Sequence, residues 1–238
     1  MSMTIGLVHL RPSTPRAHHP SGRKLGGKSL LELVVRRLTD CQRLDRVVVV
    51  VGREDHDEQA RALVPPDVRA YVSSATDPLS RVVDAMDHFH ATAVVRVLAD
   101  APFVDPVLVD RLVSTADAHP ACDYISYCSQ DGRPAIMTHL GLCAEWCSAA
   151  ALCRANLTAR RAADRDAVTS FLYAHPEQFN VRLIPLPSEL DRDDLPRQLD
   201  FAHDWEHAQA IYEALGSDEW DWRRLADLLV TQSESRQA

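Results

Sequence analysis

The stretch AVVRVLADAPFVDPVLVDRLV, Ala93–Val113, is an apolar run that ends in a lone acid at Asp100, passes Pro102, and turns again at Asp105-Pro106. It reads as a strand, an acidic turn and a helix. Val94, Val95, Val97 and Leu98 favour a buried strand. Asp105 suits an N-cap, and Pro106 suits a first helical position, where the missing N–H would have no partner in any case. The helix then carries Val107, Leu108, Leu112 and Val113. Asp100 therefore stands where a parallel strand emerges. Open α/β sheets bind ligands in the crevice outside the carboxyl ends of their strands, and a carboxylate there can hold a hard metal ion and, through it, phosphate.

The same alternation runs outward from this block. Strands are predicted at Thr4–Leu10, Arg46–Val51, Val68–Ser73, Ala93–Leu98 and Asp123–Tyr127, with helices from about Ser29, Asp55, Asp77 and Pro106 between them. Such a pattern implies parallel βαβ units. Leu30, Leu31, Val34, Val35 and Leu38 line one side of the first helix, and the unbroken run Val47–Val51 suits a strand covered on both faces. After Tyr127 the rhythm changes. SQDGRP reads as a turn, PAIMTHLGL as a strand, and helices are predicted near Ala144–Leu157 and Asp166–Ala174 before the strand VRLIPL. A helix near Asp204–Leu215 and a final helix after Ser217 with Trp220, Leu225, Leu228 and Leu229 follow, and the tail TQSESRQA is expected to fray.

With 238 residues and 46% hydrophobic content, the chain is long enough to bury one substantial core. A net charge of -8 and a pI near 5.7 argue against partnership with nucleic acid or an anionic membrane. MSMTIGLVHL is too short an apolar run for a signal peptide and no segment approaches a membrane span, so a cytoplasmic location is expected. The six cysteines are then expected to be reduced. Cys143, Cys147 and Cys153 with His139 contain no C-x-x-C pair, and they read as core thiols rather than as a zinc site. The four tryptophans read as core or subunit contacts.

One loop is strongly basic. RPSTPRAHHPSGRKLGGK, Arg11–Lys28, follows the first strand and carries Arg11, Arg16, Arg23, Lys24 and Lys28. It is neither a Walker A loop nor G-x-G-x-x-G, yet cations, glycines and free N–H groups ahead of a helix can surround a triphosphate. A solvated surface loop is the other reading of the same residues.

Together these pieces resemble the cytidylyltransferase family of spore-coat polysaccharide biosynthesis proteins, relatives of the CMP-KDO and CMP-sialate synthetases. VVRVLADAPFVDP is similar to the family's V-V-R-I-T-G-D-C-P-L-I-D-P and puts its metal-binding aspartate on Asp100. GLCAEWCSAAAL resembles G-x-x-x-E-x-x-S-x-x-A-L through Gly141, Glu145 and Ser148. DRDAVTSFLYAHPEQF resembles R-E-H-V-T-x-x-x-Y-x-H-P-E through Arg165, Val168, Thr169, Tyr173, His175, Pro176 and Glu177. LPRQLDFAHDW is similar to R-x-T-L-D-x-x-x-D, placing a second acid on Asp200. The family's A-R-x-x-S-x-R-L-P-G-K falls on Arg11 and Arg16, but Ala17–Pro20 replace L-P-G-K, so the family's lysine is missing and Arg23 or Lys24, or else His18 or His19, would have to serve in its place. Asp166 and Ala167 also depart from Glu-His.

The resemblance implies a three-layer, mostly parallel α/β fold of the nucleotide-diphospho-sugar transferase type with a small additional subdomain. It implies one domain over 1–238, with 1–127 as the nucleotide-binding half, 128–216 as the acceptor and dimerisation half, and 217–238 as a C-terminal helix and tail. The implied reaction is attack of an acceptor oxygen, on a sugar acid or a phosphorylated or phosphonylated small molecule, on the α-phosphorus of CTP with loss of pyrophosphate. Arg11, Ser13, Arg16, Arg23 and Lys24 would bind the nucleotide, Arg11, Arg16 and Asp100 would be catalytic, and Asp100 and Asp200 would hold Mg²⁺. Glu145, Arg165 and Thr169 would meet the acceptor, although Glu145 and Arg165 equally suit a structural ion pair. His175, just before Pro176, reads as the end of a helix. A homodimer is expected through the apolar, cysteine-rich helix after Tyr127. The rival readings are a homologue that keeps the fold and binds a nucleotide or partner without catalysis, and a glycosyltransferase, whose D-x-D pair is absent beside Asp100.

Overall fold

Seven strands form one sheet in the order β5-β4-β1-β6-β8-β7-β9. The structure, a computed structural model, describes residues 3–10, 22–53, 61–135, 141–192, 205–216 and 220–237, with side chains as far as 231. Arg11, Ser13, Arg16, His139 and Asp200, the start of the helix expected from Asp55, and the middle of the PAIMTHLGL segment lie outside the described residues. The elements are β1 (Thr4–His9), β2 (Lys24–Leu25), β3 (Lys28–Ser29), α1 (Leu30–Thr39), β4 (Arg46–Val51), β5 (Arg69–Val72), α2 (Pro78–Phe89), β6 (Ala93–Leu98), α3 (Pro106–Ala118) and β7 (Tyr124–Cys128). They continue with β8 (Glu145–Ser148), α4 (Ala149–Thr158), α5 (Ala162–Asp166), α6 (Ser170–Ala174), β9 (Val181–Pro185), α7 (Trp205–Leu215) and α8 (Trp222–Gln237). All pairings in the large sheet are parallel except those of β8, which runs antiparallel to both β6 and β7.

The parallel half follows its sequence pattern closely because the helix starts are encoded locally. Ser29, Asp77 and Asp105 each accept a hydrogen bond from an amide in the first turn of the helix they cap, at 3.1, 3.0 and 2.9–3.0 Å. The valines of β4 are divided between the two faces of the sheet. Val49 and Val51 join Val95, Val97, Leu31, Val34, Leu108 and Leu225 in one apolar layer; Val48 and Val50 join Leu7, Val94, Leu79, Val82, Leu152 and Leu172 in the other. At about 1.5–3 kcal/mol for each fully buried aliphatic side chain, these two layers supply the main apolar term in the fold's stability.

The second half differs from the pattern reading in several places, the first being that the described ends of PAIMTHLGL form an isolated bridge at Pro134 and a turn at Gly141 and Leu142 instead of a strand. Residues 145–148 are strand, not the first turn of a helix: Glu145 and Cys147 face one side, Trp146 the other, and α4 begins only after Ser148 caps it onto Ala151 N at 3.1 Å. Four residues are too few to show an alternating period, and the Ala-rich run behind them reads as helix throughout. Of the helix expected over Asp166–Ala174 only α6, from Ser170, forms; a separate short helix, α5, ends at Asp166, and Val168 at φ +64° lies between them. In the tail, α8 continues as helix to Gln237. Cys143 and Cys147 lie in opposite apolar layers, which separates two of the thiols considered for zinc. Cys143 is 3% and Cys147 0% exposed, so both thiols belong to the core, whereas Cys153 of α4 is half-buried. Among the described residues, no helix is long and apolar enough to cross a membrane.

Candidate active site

Asp100 occupies the turn at the carboxyl end of β6 and is partly buried. Ala99 N donates to His9 O at 3.1 Å, which sets this turn beside the last residue of β1, two positions before Arg11 begins the basic loop. Ala101 N to Leu98 O and Val104 N to Ala101 O, both 3.1 Å, keep the turn tight. Gly141 packs directly on it. Its φ is +64°, and a Cβ there would stand 2.8 Å from Ala101 Cα, so any side chain would have to push the turn that carries Asp100. Asp105 N, 3.3 Å from Leu142 O, makes the neighbouring contact.

Beneath this edge lies a buried polar cluster on the α2 side of the sheet. Arg96 of β6 is paired across the sheet with Glu145 of β8, and their side chains form an ion pair. The Glu145 side chain is fully buried, and its Oε1 also accepts from Thr169 Oγ1 at 2.8 Å, while its Oε2 accepts from the Tyr124 hydroxyl at 2.7 Å. Arg96 Nη1 reaches Thr169 Oγ1 at 3.4 Å. Burial and the adjacent Glu145 charge push the Tyr124 phenol far above its ordinary value, so it remains the donor. The signal for this cluster was in the sequence: an arginine in the middle of a valine strand must find a buried partner. Tyr124 had no such mark.

The expected acceptor residues are divided. Glu145 and Thr169 come together, but Glu145 does not pair with Arg165, because Arg96 lies opposite it on the neighbouring strand. Arg165 instead donates through Nη2 to Asp77 Oδ2, Ser80 Oγ and Asn156 Oδ1 at 3.1, 2.8 and 2.6 Å. Its Nη1 donates to the carbonyls of Asn156 and Ala159 at 3.0 and 3.1 Å. Burial would raise the Asp77 carboxyl, but the Ser80 amide, the Arg165 guanidinium and the Ser80 hydroxyl outweigh it and hold it below its ordinary value. The turn 165–169 is thus fastened at one end to the start of α2 and at the other to β8. Between the fastenings sits Val168, fully buried at positive φ, a conformation a β-branched residue keeps only when its surroundings impose it. His175 closes α6, with Nδ1 2.8 Å from Phe171 O.

On the other side of the edge, Arg23 and Lys24 are exposed at the base of the basic loop, and the Arg23 guanidinium lies 5.2 Å over the Trp205 ring. Among the described residues, no three acidic, histidine or cysteine side chains gather as a metal cage.

Comparison with known proteins gives the chain a family. The model of the MobA-like NTP transferase domain matches residues 22–185. The spore coat polysaccharide biosynthesis protein SpsF of Bacillus subtilis is 22% identical over 91% of this chain and 89% of its own length. A cytidylyltransferase from Leptospira borgpetersenii superposes with a TM-score of 0.83 at 18% identity, over 98% of this chain and 95% of that one. A CMP:2-keto-3-deoxy-manno-octonic acid synthetase solved with CTP superposes with a TM-score of 0.66 at 13% identity, over 89% of this chain and 99% of that one. The protein belongs to the MobA-like NTP transferase domain family and is an enzyme of the nucleotidyltransferase type.

Proposed function

We propose that the protein is a divalent-metal-dependent cytidylyltransferase that moves CMP from CTP to a sugar acid or to a phosphorylated or phosphonylated small molecule. The observation that carries this reading is the position of Asp100, at the carboxyl end of β6 beside the residue from which the basic loop departs. The relative solved with CTP and the cytidylyltransferase of highly similar fold support cytidine as the base. In the proposed transfer, an acceptor oxygen attacks the α-phosphorus, the bond to the β-phosphate bridging oxygen breaks, and the acceptor proton leaves to solvent. Such chemistry rests on alignment and charge stabilisation more than on covalent help from the protein.

Arg11, Ser13 and Arg16, with Arg23 and Lys24, are proposed to neutralise the triphosphate and the departing pyrophosphate. Asp100 suits a hard cation by its chemistry and place, a carboxylate in the turn at the carboxyl end of a parallel strand, and Glu145 is held by three protein donors in the core. Asp100 and Asp200 would hold Mg²⁺, leaving its remaining positions to water and phosphate oxygens; bound there, the ion would stabilise the charge that develops on the leaving pyrophosphate. Glu145 and Thr169 are proposed to serve the acceptor side from below by fixing the turn 165–169, with Arg165 fixing its other end. A homodimer completes the reading, and sedimentation as a monomer at micromolar concentration would remove it.

The test is titration of CTP, with GTP, UTP and ATP as comparators, with and without Mg²⁺, on the protein and on Asp100→Asn. Selective CTP binding that Mg²⁺ strengthens and Asp100→Asn weakens is the expected result. Absence of nucleotide binding would favour the non-catalytic homologue, for which the replacement of the family's L-P-G-K by Ala17–Pro20 is the specific observation.

A further inference from the structure

The hairpin formed by β2 and β3 ends the basic segment, and α7 begins five residues after Asp200. These two elements meet at a joint of unusual closeness. Leu25 is buried in a cluster with Leu30 and Leu33, and Trp205 and Tyr212 of α7 pack against that cluster. At the hairpin tip, Gly26 has φ +56°, and a Cβ there would stand 2.4 Å from Tyr212 Cε1 and 2.9 Å from the Tyr212 hydroxyl oxygen. The tyrosine ring occupies the volume that any other residue would fill. Arg23, at the foot of the hairpin, lies over the ring of Trp205, and Leu30 N donates to Arg23 O at 2.9 Å, which fixes the hairpin's base to the start of α1.

We propose that Trp205 and Tyr212 are positioning residues for nucleotide binding: seated on Gly26 and Arg23, they hold the end of the basic segment in register with the helix that follows Asp200. The inference rests on the nucleotidyl-transfer reading and adds to it a reason for the glycine pair and for the aromatic face of α7. The tie runs between the two stretches of chain that carry the opposite charges of the site, the cations before the hairpin and the carboxylate before α7. Neither aromatic residue needs to touch the substrate, and their effect passes through the hairpin.

A double-mutant cycle in the full-length protein tests this, using Gly26→Ala, Tyr212→Ala and the pair, with CTP and Mg²⁺ as the probe. Each single change is expected to weaken CTP binding about fivefold or more, and the pair to lose clearly less than the two single losses combined, since the second change removes the clash made by the first and leaves only the strain of an alanine at positive φ. Additive losses, or unchanged CTP affinity in a folded Gly26→Ala protein, would overturn the inference. Hydrogen exchange without nucleotide is the second readout. Gly26→Ala should speed exchange in both 24–29 and 205–215, and an unaffected α7 would show that the joint does not couple them. If the wild-type protein binds no nucleotide while exchange in both segments responds, the transfer reading has failed and the positioning role fails with it, leaving only a structural joint.

Discussion

Arg37 and Arg96 are both almost fully buried, one on each side of the sheet, and their hydrogen-bonding partners differ in kind. Arg37 of α1 donates to two main-chain carbonyls, Val104 O and Trp220 O, each at 3.0 Å, and only at 3.4 Å to Asp105 Oδ2. Its guanidinium also stacks 3.9 Å from the Trp220 ring centre. Asp105 in turn caps α3 and accepts from Trp222 N at 2.9 Å. Arg37 therefore fastens three stretches of chain, the starts of α3 and α8 and its own helix, through groups that every sequence possesses. Arg96 is held by side chains: Glu145 and, at 3.4 Å, Thr169, with Tyr124 joined through Glu145. Among the described residues, its Nε has no acceptor. A centre closed on backbone serves stability, whereas one closed on side chains depends on particular residues of three strands and a strained turn below the crevice.

The contrast can be broken experimentally, and the largest effect is expected at Arg96. Arg96→Met leaves Glu145 buried without its cation and should destabilise the protein by about 3–5 kcal/mol in denaturant titration, whereas Arg96→Met with Glu145→Leu should recover much of the loss. A cost below about 1 kcal/mol for the single change would show that water reaches Glu145. Arg37→Met should be milder, about 2–3 kcal/mol, because Asp105 keeps three backbone amide donors while two carbonyls lose theirs. Its distinguishing sign is local: exchange should quicken along α8 and leave β8 unaffected. Thr169→Val removes one hydroxyl at nearly constant volume and should cost about 1.5–3 kcal/mol, the worth of a hydrogen bond to a charged group.

The smallest effect is one of pH. Asp77, held below its ordinary value, contributes stability that is fully present above the ordinary carboxylate range and is lost as pH falls through the lowered value. Stability measured from about pH 5 down to about pH 2 should therefore fall less steeply in Asp77→Asn than in the wild type. An identical slope would mean that Arg165 holds the turn without help from that charge.

The parallel half of the molecule was legible because its information is local. Ser29, Asp77 and Asp105 each mark a described helix start with its own capping side chain, and Val47–Val51 marks a doubly covered strand without reference to the rest of the chain. The placement of Asp100 followed from the strand and turn around it. The short strand β8 was not legible, since Glu145–Ser148 becomes a strand only through pairing with Arg96 on one side and Ser126 on the other. For the same reason Arg165 was matched to the wrong carboxylate: its partner Asp77 is 88 positions away in the chain, at the start of a helix that reads as complete with its own cap. Val168 gave no warning, because nothing in a valine announces a left-handed backbone that tertiary packing imposes.

The reversed direction of β8 has a consequence for how such a protein can diversify. β7 ends and β8 begins at the same edge of the sheet, so residues 129–144 leave and return on the side where Asp100 stands. Lengthening that excursion disturbs no strand register, and each doubling of a flexible loop adds only about 0.6 kcal/mol of closure entropy. The constraint lies at its final turn, where Gly141 must still fit against Ala101. A lineage can thus exchange the rim of this crevice for one suited to a different acceptor while the sheet beneath it is inherited unchanged.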